Sequence, residues 1–281
     1  MISSAETVRF GLEELAGIAP GVKGKGQYNG KCMIENLLES CDKDDNSYKN
    51  IEYNEQDIAD LVEYMGMQDY SLDESIKHGE YTGKLIANLT IKNETLGKRT
   101  VIEIPENRLY YLGYDCKKFD VVKIGVNYGF RCFCKAGTGN LLYVKDCKGD
   151  GFAWSAGSHG FIDIIAAEEV NGTEFAGQAG EKCHVGIIAA KKVNANYFAQ
   201  YAGSEEGHVG MIVVKEIEHG GQWFAFDAHP VDGIHVGTDI RLRKEKTTGD
   251  YNEMVKHVRT KLSEYGIDFG LNLKKIKLIK K

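Results

Sequence analysis

Four residues have types and spacing that could do chemistry together. Cys32 closes a glycine-rich loop, "GKGQYNGKC", and a helical pattern, "MIENLLESC", follows it directly. A thiol at a helix N-terminus feels the partial positive charge of unpaired N–H groups, which favours the reactive thiolate. Gln27, five residues upstream, carries an amide able to donate to a developing oxyanion. His208 opens the apolar run "HVGMIVV", and Asp227 stands near the end of "QWFAFDA". A thiolate, an imidazole that takes and returns its proton, and a carboxylate that holds the imidazole tautomer make a nucleophilic triad. The same loop fails as a phosphate cradle, which needs G-x-x-x-x-G-K-[ST]. Its glycines are one residue too far apart, and Cys32 stands where a hydroxyl should be.

The elements that would position these groups follow from hydrophobic period. The first eighty residues read as helices at 5–15, at 32–41 with Met33, Leu37 and Leu38 on one face, and from Asn54, a cap followed by an acidic first turn. From Tyr81 onward short β-rich runs appear: "KLIANLTI", "RTVIEI", "DVVKIGV", "FRCFC", "NLLYV", "GFIDIIAA" and "CHVGIIAA". With 33 glycines against 3 prolines, glycine makes the turns. Closely spaced short strands predict a curved antiparallel sheet. The echo of "HVGII" at His184 in "HVGMI" at His208 is read as strand composition and not as a solenoid repeat. "KEIEHGG" then joins two strands as a hairpin, whose closure would bring His208 and Asp227 together if the turn centres between Ile217 and Glu218. A helix at "DYNEMVKHVRTKLSEYG" and a lysine-flanked edge strand, "LKKIKLIKK", complete the chain. The expected parts are 1–80, helical with the nucleophile; 81–180, a β-rich insertion; and 181–281, a sheet with His208, Asp227 and the last helix.

The remaining histidines have structural explanations: His78 and His257 lie on helical patterns and read as surface residues. His159 and His184 open apolar runs and are the alternative bases. Seven cysteines, an odd number without an export signal, favour free thiols in a reducing compartment. Cys116, Cys132, Cys134 and Cys147 offer C-x-C but no C-x-x-C, which is poor zinc spacing, so no metal or other cofactor is expected. A net charge of −6 excludes a nucleic-acid scaffold, and no apolar run is long enough to span a membrane. The N-terminus reads as an amphipathic helix, so the expected location is cytoplasmic, or exported without a cleaved signal.

The pieces "GKCMIENLL", "GHVGMIVV" and "WFAFDAHPVDG" resemble the papain-like cysteine enzymes, in particular bacterial effector peptidases of the YopT/AvrPphB type. The resemblance covers about a quarter of the chain. It implies a papain-like α+β fold and a thiol hydrolase or acyl transferase, possibly a toxin, acting on an amide bond of a protein or peptide. Cys32, His208 and Asp227 would be the triad, and Gln27 the oxyanion donor. Peptide cleavage, glutamine deamidation and transglutamination share this chemistry. The alternative is a non-catalytic β-rich binding or assembly protein, whose 15 tyrosines and 11 phenylalanines line a recognition surface.

Overall fold

The computed structural model describes residues 27–28, 31–43, 47–158, 160–182, 184–204, 207–217, 228, 230–236 and 251–271. The chain divides into two units, 1–52 and 53–281. In the first, strands β1 (Gln27–Tyr28) and β2 (Lys31–Cys32) form a two-residue antiparallel ladder that leads into helix α1 (Met33–Lys43) and a 3-10 turn at Ser47–Asn50. Met33, Leu37, Leu38 and Cys41 are buried, the face that the 3.6-residue period predicts.

The second unit is a parallel β-solenoid preceded by two helices. Helix α2 (Glu55–Gly66) starts from a capping box: Asn54 accepts from the N–H groups of Gln56 and Asp57, while the Asp57 carboxylate accepts from the Asn54 N–H. Helix α3 (Leu72–Thr95) repeats the device with Ser71 and Glu74. Seven strands then pair in chain order, all parallel: β3 (Val101–Asn107), β4 (Val121–Asn127), β5 (Gly139–Cys147), β6 (Phe161–Val170), β7 (His184–Val193), β8 (His208–Ile217) and β9 (Pro230–Val236). Val101 faces Val121 and Val121 faces Leu141, a step of 20 residues per coil; Leu141, Ile164 and Ile187 then step by 23. The column Ile102, Val122, Leu142, Ile165, Ile188, Ile212 is buried throughout, which is why these strands carry bulky aliphatic residues in register.

Between strands the chain forms a second wall with an unusual backbone. Fourteen non-glycine residues among those described have φ between 50° and 63°, mostly at every second position: Arg131, Phe133 and Lys135, or Glu174, Ala176 and Gln178. Each such turn closes by an N–H donating to the carbonyl three residues back, as Tyr114 to Tyr111 and Ala179 to Ala176. With positive φ at the third residue, these are overlapping type II turns. A left-handed residue costs about 1–2 kcal/mol. Stacking offsets it, because the left-handed N–H groups reach the next coil: Phe133 donates to Leu112, Ala153 to Cys132, Ala176 to Phe152 and Ala199 to Phe175. Chain reversal into this wall needs glycine, since a Cβ on Gly129, Gly149 or Gly172 would lie within 2.3 Å of the neighbouring coil's backbone oxygen.

Both exposed surfaces of the first coils and of the sheet are managed. Helix α2 packs along β3. Helix α3 lies so close to the first turn wall that a Cβ on Gly79 would be 2.2 Å from the Tyr111 carbonyl oxygen. From α3, Thr82 Oγ1 accepts the Gly113 N–H, which has no preceding coil to bond. Such end caps are what a stack of repeats requires. Helix α4 (Tyr251–Ser263) covers the outer sheet face: Val255, Val258 and Leu262, with Ile267, Phe269 and Leu271 after it, pack on Val121, Leu141, Ile164, Ala166, Ile187, Ala189, Met211 and Val213.

Several expectations are overturned. The papain-like α+β fold with a twisted antiparallel sheet is replaced by a parallel solenoid, and the "HVGII"/"HVGMI" echo is its repeat: His184 and His208 are ladder partners. "KLIANLTI" belongs to α3, because its apolar residues also satisfy the helical period, and "FRCFC" belongs to the turn wall. The expected helix at 5–15 and edge strand at the C-terminus lie outside the described residues.

Candidate functional site

Cys32 ends β2 immediately before α1, and its Cα partner across the ladder is Gln27. The backbone therefore brings these two together at a helix start. His208 opens β8, and Asp227 lies outside the described residues. The hairpin that was to join them does not form. β8 bonds β7 on one edge and β9 on the other, both parallel, so no edge of His208–Ile217 is left for an antiparallel partner. The repeat also explains the segment around Asp227. "FAWSAG" from Phe152, "FAGQAG" from Phe175 and "FAQYAG" from Phe198 recur every 23 residues, and "FAFDAH" from Phe224 continues the series with Asp227 at the position of Ser155, Gln178 and Tyr201.

Of the other expected residues, His257 is exposed on α4, whereas His78 is buried, its ring 4.2 Å from that of Tyr70. His159 lies outside the described residues. Cys116, Cys132, Cys134 and Cys147 are all buried, and no group of three or more metal-ligating side chains converges among the described residues. Burial pushes the thiols of Cys116 and Cys132 up to about 12 and that of Cys134 up to about 11; Cys147 rises for the same reason. Such thiols stay protonated and inert.

Sequence reasoning passed over the turn wall of the first coils, where aromatic rings and cations interleave. Tyr110 and Tyr128 are 50% and 38% exposed. The Tyr110 and Phe130 rings meet edge-on at 6.3 Å. The Arg108 guanidinium lies 4.9 Å from the Tyr128 ring, with the Lys148 ammonium 5.0 Å from the same ring. Lys135 sits 5.6 Å over Tyr114, and its hydrogen bond to that phenol raises its pKa, keeping it charged. At the centre, Arg131 lies 5.2 Å from the Phe130 ring and 6.0 Å from that of Trp154. Its Nε is buried and has no hydrogen-bond partner. Flat aromatic walls hold a guanidinium in place by cation–π attraction while leaving its donors unspent. A buried donor without an acceptor costs about 1–3 kcal/mol, which an incoming acceptor would recover.

The signal for this wall was present in the sequence as "NRLYYLGYDCKK", "NYGFRCFCKAG" and "GDGFAWSAG", once aligned at the repeat. No helix among the described residues is long and apolar enough to cross a membrane. No family model, no curated protein and no solved structure matches this chain.

Proposed function

We propose that this chain is a non-catalytic binding protein whose solenoid holds an aromatic–cationic wall rigidly against an acidic protein partner. The observation that carries it is Arg131, placed between Phe130 and Trp154 with a buried, unanswered Nε–H. Tyrosine, tryptophan and arginine are the residues that dominate protein interfaces, because they combine large rigid area with directed donors. A carboxylate is the planar acceptor that a guanidinium fork fits. A protein rather than a nucleic-acid partner suits a chain of net charge −6, which repels a dense polyanion.

An oligoglutamate peptide tests the site. In a Trp223→Phe background the remaining tryptophan is Trp154, so its fluorescence reports the wall directly. Saturable quenching that weakens with salt and is lost in Arg131→Ala is expected. A response identical in wild type and Arg131→Ala would overturn the assignment. The amide-bond enzyme retains one supporting feature, the placement of Cys32 and Gln27 at the start of α1. A thiol probe at neutral pH separates the two readings: a binding protein leaves Cys32 with ordinary reactivity, whereas a catalytic thiolate labels far faster than any other cysteine.

A further inference from the structure

A different part of the solenoid carries a second kind of site. The coil repeat places His184 and His208 directly beside each other as ladder partners at the start of β7 and β8, with Phe161 before them in the same column. Phe161 stacks on His184 with ring centroids 5.0 Å apart and planes 16° from parallel, which holds the His184 ring upright. The His208 ring stands 6.2 Å from it and nearly edge-on, at 61°. His208 is exposed and His184 partly so, leaving both reachable from solvent. Neighbouring strands are about 4.8 Å apart, and two imidazole nitrogens on one ion, each about 2.0–2.1 Å from it, sit roughly 3 Å from each other. A rotamer adjustment of the exposed His208 closes that difference without moving backbone.

We propose that His184 and His208 form a two-imidazole site for a borderline transition-metal ion, with water completing the coordination. Imidazole pairs favour Cu²⁺, Ni²⁺ and Zn²⁺ over hard cations, and copper should bind most tightly. The parallel ladder supplies what a pair of surface histidines ordinarily lacks. Backbone register fixes their separation, and Phe161 restricts one ring, so less side-chain freedom is lost on binding.

The full chain titrated with Cu²⁺, Zn²⁺ and Mg²⁺ by calorimetry tests this. Copper and zinc should bind at one dominant site, magnesium should not, and acidification should weaken binding because only a neutral ring donates its lone pair. His184→Ala and His208→Ala should each lower copper affinity by about tenfold or more, equivalent to ~1.4 kcal/mol. His257→Ala, an exposed histidine on α4, should leave it unchanged. Both ladder positions lie at the solvent end of their strands, so the variants should melt as wild type does. Unchanged affinity in both ladder variants, or an equal loss in His257→Ala, would overturn the proposal.

Discussion

The coils before β6 and those after it solve the same folding problem with different chemistry. In the later coils the wall residue facing inward is Phe152, Phe175 and Phe198 in turn, and these rings stack nearly parallel, at 5.5 Å and 12° and then 5.3 Å and 5°. Beside each stands an alanine at positive φ: Ala153, Ala176, Ala199. In the earlier coils the column holds Leu112 and Cys132, and the aromatic contacts are tilted: Phe119 to Phe133 at 63° and Phe133 to Phe152 at 57°. There Asn107 donates to Asn127 at 2.7 Å inside the core, where later coils place Val170 and Val193. Outside, the earlier wall shows rings and cations, and the later one shows Asn171, Asn194, Gln178 and Gln200. Regular stacking stabilises the later coils with little surface chemistry. The earlier coils spend aromatic residues on the surface and hold the core with polar ladders, the division expected when one end binds and the other supports.

The largest test of that difference removes a stacked ring. Phe175→Ala leaves a void between two parallel neighbours and should cost about 3–5 kcal/mol in chemical denaturation, and Leu112→Ala, in the less regular early column, should cost less. An equal or larger loss at Leu112 would break the comparison.

Next in size is the clip that ties the early coils together. Asp120 accepts from Arg99, from the Thr100 N–H and from Asn140 at the start of β5. Burial alone would raise its pKa, but these donors outweigh it and hold the carboxyl below the ordinary value. A depressed folded pKa contributes stability that is present above the unfolded value, about 3.9, and is lost as pH falls through the folded one. Asp120→Ala should cost about 1–3 kcal/mol near neutrality by stranding its donors. Asp120→Asn should flatten the stability loss between pH 4 and lower pH relative to wild type, read by denaturation at each pH.

The smallest effect probes backbone strain in the later wall. Glu174 has φ of 58°, and Glu174→Gly should stabilise by about 0.5–1 kcal/mol, the relief of the left-handed Cβ less the added freedom of the unfolded chain. Destabilisation instead would show that the Glu174 side chain contributes more than its backbone costs.

Local chemistry fixed much of this molecule before any tertiary contact. The capped start of α2 at Asn54, the buried face of α1 and the chain reversals at glycine were all legible, because each depends on neighbours within four residues. The apolar runs from Val101 onward were correctly recognised as strands. Strand direction was not legible, since parallel and antiparallel pairing place the same residues in the same extended backbone. What selects parallel pairing is the turn wall, and its alternating left-handed conformation is stable only once a neighbouring coil accepts its N–H groups. The "FAxxAG" series recorded that repeat in the sequence, but its meaning depends on stacking across 23 residues. The candidate site shows the same limit. Arg131, Phe130 and Trp154 are ordinary side chains in the linear chain, and only coil-on-coil register sets a guanidinium between two rings. Sequence determined which segments could extend, turn or coil, and the tertiary ladder decided which residues came to face one another.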